Sequence, residues 1–449
     1  MSAAPLDVNA AIDAVLTRKV PMPVMAGAAG AVVIGLLAFV AGLFIDPVWT
    51  WGAVIVGLVY LIGISQGAIM FSVVSTLTWA RWSRPMKRVA ETFGLFMPVV
   101  YLALVLFLIV GLRVFPWHPS TIVEGGPVHL APESIAVLFA AKPFWLSPGT
   151  FIARQVLGVG FMVLLDLIYL RSSLRPDLLM AKLRLGDKAP GWWNMVIGGA
   201  TDVAKEREAS DKLQAGLGVV LGFTYAFIMS MIAFDLIMSL SPLWYSNMFG
   251  GWFFASSFWL AMQSIGVFSL IGLDWLGLRG WIKPSHTHDL GKMLLAFTMA
   301  WAYMTFSQIL PIYYTNMPEE TDFLMLRIVL PQWGPMARVV AVMCFIMPFT
   351  VLLSRGIKKM RGPFVALMLC MMLGVFLERT LLVMPSIFKG PDFPWVNFLV
   401  ISLGVWIGCL GALVTFATQM LTRMPALPVS DPKLETHSWD VHVHAHGAH

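Results

Sequence analysis

Long apolar runs separated by short polar breaks follow one another along almost the whole chain. Each run has about 20 residues or more, the length at which an α-helix crosses the roughly 30 Å hydrocarbon layer of a membrane. Helix-breaking Pro and Gly residues occur in the gaps. The pattern predicts ten membrane-spanning helices, numbered 1 to 10 in chain order, near residues 22–45, 49–80, 89–112, 148–170, 213–240, 251–276, 288–314, 334–354, 363–387 and 396–421.

Composition agrees with an all-α integral membrane protein. Of the 449 residues, 58% are hydrophobic and only 12% are charged, about half the charge of a soluble domain. The net charge of +6 comes from basic residues in short loops, which indicates membrane topology rather than binding to nucleic acid. We therefore expect a polar N-terminal segment, 1–21, a membrane region, 22–421, and a His-rich tail, 422–449.

Lys and Arg alternate between rich and poor loops. Every second loop is rich, and together with the termini these loops hold 22 basic residues, whereas the intervening loops hold four. Loops rich in Lys and Arg face the cytoplasm, so both termini are predicted to be cytoplasmic. The largest inner loop, 171–212, is expected to form a surface helix or a solvated linker. The largest outer loop, 113–147, is rich in aromatic residues and suits an interfacial cap.

A weak internal repeat relates helices 2–5 to helices 6–9. Residues 65–67 (SQG) in helix 2 are similar to residues 263–266 (QSIG) in helix 6, and residues 152–154 (IAR) in helix 4 are similar to residues 336–338 (MAR) in helix 8. The paired helices run in the same direction, so the repeat is parallel. The repeat predicts two four-helix bundles, at about 49–240 and 251–387, flanked by helices 1 and 10.

Ligands for a redox centre are missing from the predicted helices. Membrane haems need axial ligands, usually histidines, within the helices, and no histidine lies mid-membrane. The three cysteines lack the spacing of cluster or zinc ligands. We expect the chain to ligate no haem, iron–sulfur cluster or other metal, so that electrons would pass through partner subunits. The tail histidines, such as His442, His444 and His446, leave metal capture or a disordered tail open.

Ionisable residues occur inside the predicted helices, where a central charge costs at least about 2.5–3.5 kcal/mol. Such residues are expected to face the bundle interior, where they pair or serve function. By the predicted topology they form two layers with an apolar middle between them. The inner layer contains Glu91, Asp166, Asp274, Asp289 and Lys292, and the outer layer contains Arg154, Asp235, Arg338, Glu378 and Arg379.

Two interpretations of these layers stay open: a path for protons or quinol, and structural ion pairs such as Arg154 or Arg379 with Asp235. A quinol site is expected near the outer end of helix 5. There the quinol ring would stack on Trp244, beside Tyr245, and Asp235 would accept a hydroxyl proton. The same aromatic pair also suits an interfacial belt.

Two longer segments resemble a known family. Residues 235–253 (DLIMSLSPLWYSNMFGGWF) are similar to the helix 5–6 junction of NrfD-like membrane subunits. Residues 287–292 (THDLGK) and 303–320 (YMTFSQILPIYYTNMPEE) look like the F-type NrfD-like subunit of alternative complex III. The sister subunit type usually has His after the Trp of the first segment. Tyr245 occupies that position here and favours the F-type.

The resemblance implies a cofactor-free, multi-pass subunit of a quinol:cytochrome c oxidoreductase, or of one with another periplasmic acceptor, in a bacterial inner membrane. Its partners would be a sister NrfD-like subunit, an iron–sulfur protein and multihaem c-type cytochromes, and the complex would use quinol or menaquinol. The role implied for this subunit is structural, with a contribution to proton movement. The leading hypothesis is proton conduction through two sets of residues, Asp166, Asp274 and Lys292, and Asp235, Glu378 and Arg379.

Two other classes of function stay open. One is a purely structural membrane anchor of that complex. The other is a secondary transporter, since parallel repeats and mid-membrane charges suit one. Against the transporter, no predicted helix is broken near its middle by clustered Gly and Pro.

Overall fold

The computed structural model describes residues 7–118, 144–388 and 392–434. These residues contain ten helices that are long and apolar enough to span a membrane, and no β-strand. This confirms the prediction of an all-α multi-pass membrane protein. The ten helices are Met22–Ile45, Pro47–Leu77, Arg84–Val110, Pro148–Lys188, Val203–Leu240, Asn247–Ile271, Pro284–Thr315, Gly334–Leu353, Arg361–Ile387 and Asn397–Thr422.

Helices 4 and 5 are longer than predicted and take up most of the predicted loop over 171–212. The part of the loop between them contains a short helix, Trp193–Ile197. Helix 4 continues beyond residue 170 to Lys188 and helix 5 starts at Val203, so the two form a long hairpin. Helix 4 passes through Pro176, which cannot donate the usual hydrogen bond to the carbonyl of Ser172. Ser210 of helix 5 supplies that bond through its hydroxyl, at 2.7 Å. The proline was visible in the sequence, but the hydrogen bond by which Ser210 replaces the missing N–H was not.

Helices 2 and 6 pack against each other at the centre of the protein. Helix 2 is buried over 94% of its most apolar stretch, whereas helix 1 is buried over 22%. Helices 5 and 9 each pack against both central helices. Helix 3 packs against helix 2, and helix 7 packs against helix 6 in the same way. Helix 4 packs against helix 5, and helix 8 packs against helix 9. The contacts of helices 2–5 are thus repeated by helices 6–9. The domain boundaries at 49–240 and 251–387 stay a prediction.

Helices 1 and 10 pair along a stripe of small residues. A methyl group added to Gly35 would lie 2.4 Å from the Cα atom of Gly408, and one added to Gly404 would lie 2.4 Å from the Cβ atom of Ala38. Membrane helices can approach this closely only where side chains are small. The glycines therefore hold helices 1 and 10 together beside helix 2.

The two ends of the protein are named here from the charge count. The end at which helices 3, 5, 7 and 9 begin is called the inner end, and the opposite end is the outer end. A segment over 423–434 follows helix 10 at the inner end. It packs against this end of the protein through buried residues that include Leu427 and Asp431. The cytoplasmic placement of both termini stays a prediction. The tail histidines, His129 and most of the outer loop 113–147 lie outside the described residues.

Candidate functional site

One face of helix 4 carries a column of buried polar side chains along nearly its whole length. At about 100° per residue these positions fall within an arc of about 80°, and each is at most 2% exposed. They face helices 2, 3 and 5. The column consists of Gln155, Asp166, Tyr169, Ser173 and Asp177.

The inner part of the column is a dense network around Glu91 of helix 3. Glu91 accepts hydrogen bonds from Ser72, at 2.9 Å, and from Ser173, at 2.5 Å. Arg88 lies between two acids and forms ion pairs with both Glu91 and Asp177. All these charged side chains are at most 1% exposed. The network satisfies the requirement that charges buried in a membrane be paired.

A second set of charges connects this network to the segment that follows helix 10. Lys87 lies 3.7 Å from Glu91 and donates to Gln214 at 3.2 Å. Ser430 donates its backbone N–H to Asp177 at 2.8 Å. The next residue, Asp431, pairs with Arg84 at 2.9 Å. The 423–434 segment therefore covers the inner end of the column.

The carboxyl of Asp431 lies outside the membrane-spanning helices. Burial alone would raise its pKa, but the positive charges of Arg84 and Arg207 outweigh burial and hold the pKa below its ordinary value. Asp431 is therefore ionised at neutral pH and joins the segment to helices 3 and 5.

Asp166 lies about one helical turn further into the membrane than Tyr169. Its side chain is 1% exposed, and its one hydrogen bond comes from Gln66 of helix 2, at 3.1 Å. The second carboxyl oxygen has no hydrogen-bond partner among the described residues, and none of the ion pairs found in them includes Asp166. Each of the other predicted acids has a basic partner: Glu91, Asp235, Asp274, Asp289 and Glu378.

Tyr169 lies between Asp166 and the inner network along helix 4. It follows Asp166 by three residues, about 4.5 Å along the helix axis. Its hydroxyl lies 3.3 Å from that of Ser72 and 3.2 Å from that of Thr76. Since Ser72 in turn donates to Glu91, hydroxyl groups lead from one helical turn below Asp166 to the ion pairs at the inner end.

The outer end of the column is closed by an ion pair. Arg154 donates to Asp235 through two nitrogens, at 3.0 and 2.8 Å, and Gln155 donates to it at 2.6 Å. Asp235 lies in a π-helical turn, Ala233–Ile237, of helix 5. The predicted alternative in which Arg154 neutralises Asp235 is therefore confirmed. Between Gln155 and Asp166 the same face carries buried Val159 and Met162 over about 16 Å.

The outer half of the second bundle contains a different feature, a pocket of about 330 Å³. Helices 6 to 9 and the segment between helices 7 and 8 line it, mostly with apolar side chains. At its wall Glu378 accepts a hydrogen bond from Trp301 and lies 3.3 Å from Arg379. Arg327 and Arg338 also line the pocket.

The predicted quinol site is not assembled as expected. Trp244 lines the second-bundle pocket, where its ring stacks on Phe323 at 3.7 Å. Asp235 belongs to the first bundle, and Tyr245 is 62% exposed; neither lines that pocket. The residues adjoin in sequence, but the chain turns between helices 5 and 6 and divides them between the bundles.

Three members of the predicted layers lie at the surface. Helix 6 ends at Ile271, so Asp274 is outside it, exposed beside Arg279; the hydrogen bond from Arg279 lowers the pKa of Asp274. The side chain of Lys292 is 51% exposed, although it pairs with buried Asp289 at 2.7 Å. Arg338 is exposed in the first two turns of helix 8. Charged side chains near helix ends reach the membrane interface. The helix boundaries predicted from the sequence placed these three residues too deep.

Several residues of the column were missed from the sequence. Gln155 and Tyr169 are not charged, and Asp177 fell in the predicted loop. The five column residues follow one another at intervals of 11, 3, 4 and 4 residues, which was an available signal for one buried face. Among the described residues, no group of three His, Cys, Asp or Glu side chains could hold a metal ion.

No family model and no curated protein sequence matches this chain.

Proposed function

We propose that the chain is a proton-conducting membrane subunit of a quinol-oxidising respiratory complex, as its resemblance to the F-type NrfD-like subunit of alternative complex III implies. In this proposal it lies in a bacterial inner membrane, and partner subunits carry the haem c and iron–sulfur centres. The observation that supports proton conduction is Asp166, a carboxyl deep in the first bundle without a basic partner in the described part of the chain.

Proton transfer needs a group that can gain or lose a proton without separating an ion pair. Glu91 and Asp235 are held by arginines, so a change in their protonation would leave a positive charge uncompensated in the membrane. Asp166 is held by the neutral amide of Gln66. Tyr169, Ser72 and Ser173 can each both donate and accept a proton, which suits them to carry it along the column toward Asp166.

The proposed path is a half-channel from the inner end to Asp166. Val159 and Met162 separate Asp166 from the outer pair of Arg154 and Asp235, and an apolar barrier of this kind prevents a passive leak. A conformational step, coupled to quinol oxidation in a partner, would pass the proton across that barrier. Proton conduction along this path needs no cofactor bound by this chain.

The Asp166→Asn variant of the assembled complex tests the path. In proteoliposomes we expect proton translocation to fall by about a hundredfold, the size of effect typical of removing a proton-transfer group, while quinol oxidation continues. Glu378→Gln, which neutralises a buried acid of the second bundle outside this half-channel, is the matched control and should keep the proton-to-electron ratio. An unchanged ratio in Asp166→Asn would refute the path.

Membership of a redox complex is tested separately. Purification in mild detergent is expected to recover iron–sulfur and multihaem cytochrome subunits with the chain. If the chain is instead isolated alone and moves a solute in liposomes, it is a secondary transporter. A structural anchor is the result if variants of all buried acids change assembly but never turnover or proton translocation.

A further inference from the structure

The second-bundle pocket has more positive charge and more hydrogen-bond donors than the protein around it balances. Arg327 is 3% exposed and donates to the carbonyls of Phe323 and Leu382 and to the hydroxyl of Ser386. It has no acidic partner among the described residues, and its Nε atom donates no hydrogen bond there. Burial lowers the pKa of Arg327 to about 9, so the group is still charged at neutral pH.

Arg338 adds a second cation at the rim of the same pocket. It is exposed, and none of the ion pairs of the described residues includes it. The one acid of the pocket, Glu378, already has Arg379 at 3.3 Å and a hydrogen bond from Trp301. The pocket therefore keeps an excess of two positive charges.

The apolar part of the pocket has the size and lining of a binding site for a hydrocarbon chain. Its volume of about 330 Å³ is at the lower end of ligand pockets, roughly 300–1,000 Å³. Aliphatic residues of helices 7, 8 and 9 form much of the wall, and the rim residue Ile328 is exposed. Lipid-chain contact is the ordinary environment of such a surface within a membrane.

We propose that this pocket binds an anionic phospholipid, with one acyl chain in the apolar cavity and the phosphate against Arg338, in the field of Arg327. Arginine forms charge-assisted hydrogen bonds to phosphate and matches the phosphate geometry. This proposal is independent of the proton path.

A quinol is the main competing occupant, and the free hydrogen-bonding groups favour the phospholipid. The buried Trp244 Nε1 donates no hydrogen bond to a described residue, as is true of Arg327 Nε. These unfilled donors, with Arg338, call for a ligand rich in acceptor oxygens. A quinol ring would also compete with Phe323, which already stacks on Trp244 at 3.7 Å.

The test measures which lipids stay on the purified full chain after exchange into mixed micelles of phosphatidylglycerol and phosphatidylcholine. Native mass spectrometry is expected to find phosphatidylglycerol retained about tenfold over phosphatidylcholine. Arg338→Gln should remove that preference, because loss of one charge-assisted contact weakens binding by about this factor. Arg355→Gln, which removes an exposed arginine just beyond the other end of helix 8, is the matched control and should keep the preference.

A second variant fills the cavity without changing charge. Ala341 lines the pocket and is exposed, so Ala341→Trp occupies the space for the acyl chain without crowding the core. Loss of the retained phosphatidylglycerol in this variant supports the site. Equal retention of the two lipids by the wild-type chain overturns the proposal, as does an unchanged preference in Arg338→Gln. Release of a co-purified quinone by Ala341→Trp, with lipid retention unchanged, overturns it in favour of a quinol site.

Discussion

The two four-helix sets share a packing pattern but differ in what they bury. In the first, helix 4 carries polar side chains from Gln155 to Asp177 on one buried face. In the second, the buried face of helix 9 carries Met368, Met371 and Met372 below the pair of Glu378 and Arg379. A repeated scaffold thus supports a polar column on one side and a mostly apolar pocket beside one buried ion pair on the other.

The difference can be located at single repeat positions. Asp166 follows Arg154 by twelve residues, and the residue twelve after Arg338 is Thr350, which is exposed. Arg154 closes on Asp235, whereas Arg338 has no ion pair among the described residues. The second bundle therefore lacks an acid at the position that corresponds to Asp166, and in the described part of the chain its arginine lacks the acidic partner that Arg154 has.

The largest expected effect on stability separates these two repeat-related arginines. Arg154→Gln leaves Asp235 buried without its ion pair, and breaking a buried pair costs about 3–5 kcal/mol. Arg338→Gln should change stability by less than about 0.5 kcal/mol, as exposed sites do. Thermal unfolding in detergent measures both. Similar losses in the two variants would contradict the division of roles between these arginines.

Smaller effects on stability, which differ in direction from each other, are expected at the two central glutamines. Gln66→Leu removes the one hydrogen bond of Asp166 and should destabilise the protein by about 1–3 kcal/mol. Gln263 in helix 6 is fully buried, and neither atom of its amide has a partner among the described residues. Gln263→Leu should therefore be neutral or stabilising. A loss of stability in Gln263→Leu as large as that in Gln66→Leu would show that the second bundle does hold a polar site there.

Tyr169→Phe is expected to slow proton translocation about tenfold, the effect of losing one hydrogen bond worth about 1.4 kcal/mol. The hydroxyl of Tyr169 joins Ser72 and Thr76 to the column. Tyr225→Phe is the matched control, because that hydroxyl donates only to the carbonyl of Phe254. Equal rates of proton translocation in Tyr169→Phe and the wild type would remove the tyrosine from the path.

The smallest expected effect is the pH dependence of local stability at the inner ends of the two bundles. The pKa of Asp431 is lowered in the folded protein, so its stabilising contribution is present above its unfolded pKa, about 3.9, and is lost as pH falls through the folded value. Acid should therefore release the 423–434 segment in the wild type, as measured by hydrogen exchange. Asp431→Asn should weaken that segment already at neutral pH and remove most of the acid dependence. Asp274→Asn, at an exposed acid, should leave the profile unchanged.

The sequence predicted the helices well because membrane spans are set by hydrophobic length alone. It also found Asp166, Asp235 and Glu378, since an acid in an apolar helix stands out. It misplaced Asp274 and Arg338, because the depth of a charge depends on where a helix ends and which way its face turns. It separated Asp177 from the column, because Pro176 suggested a helix end that Ser210 prevents.

Infrared difference spectroscopy of the assembled complex tests the central claim most directly, that Asp166 exchanges a proton during turnover. We expect a carboxyl band that changes on quinol oxidation, shifts in deuterated water, is missing in Asp166→Asn and persists in Asp235→Asn. A difference spectrum in which Asp166→Asn removes no carboxyl band would contradict the account.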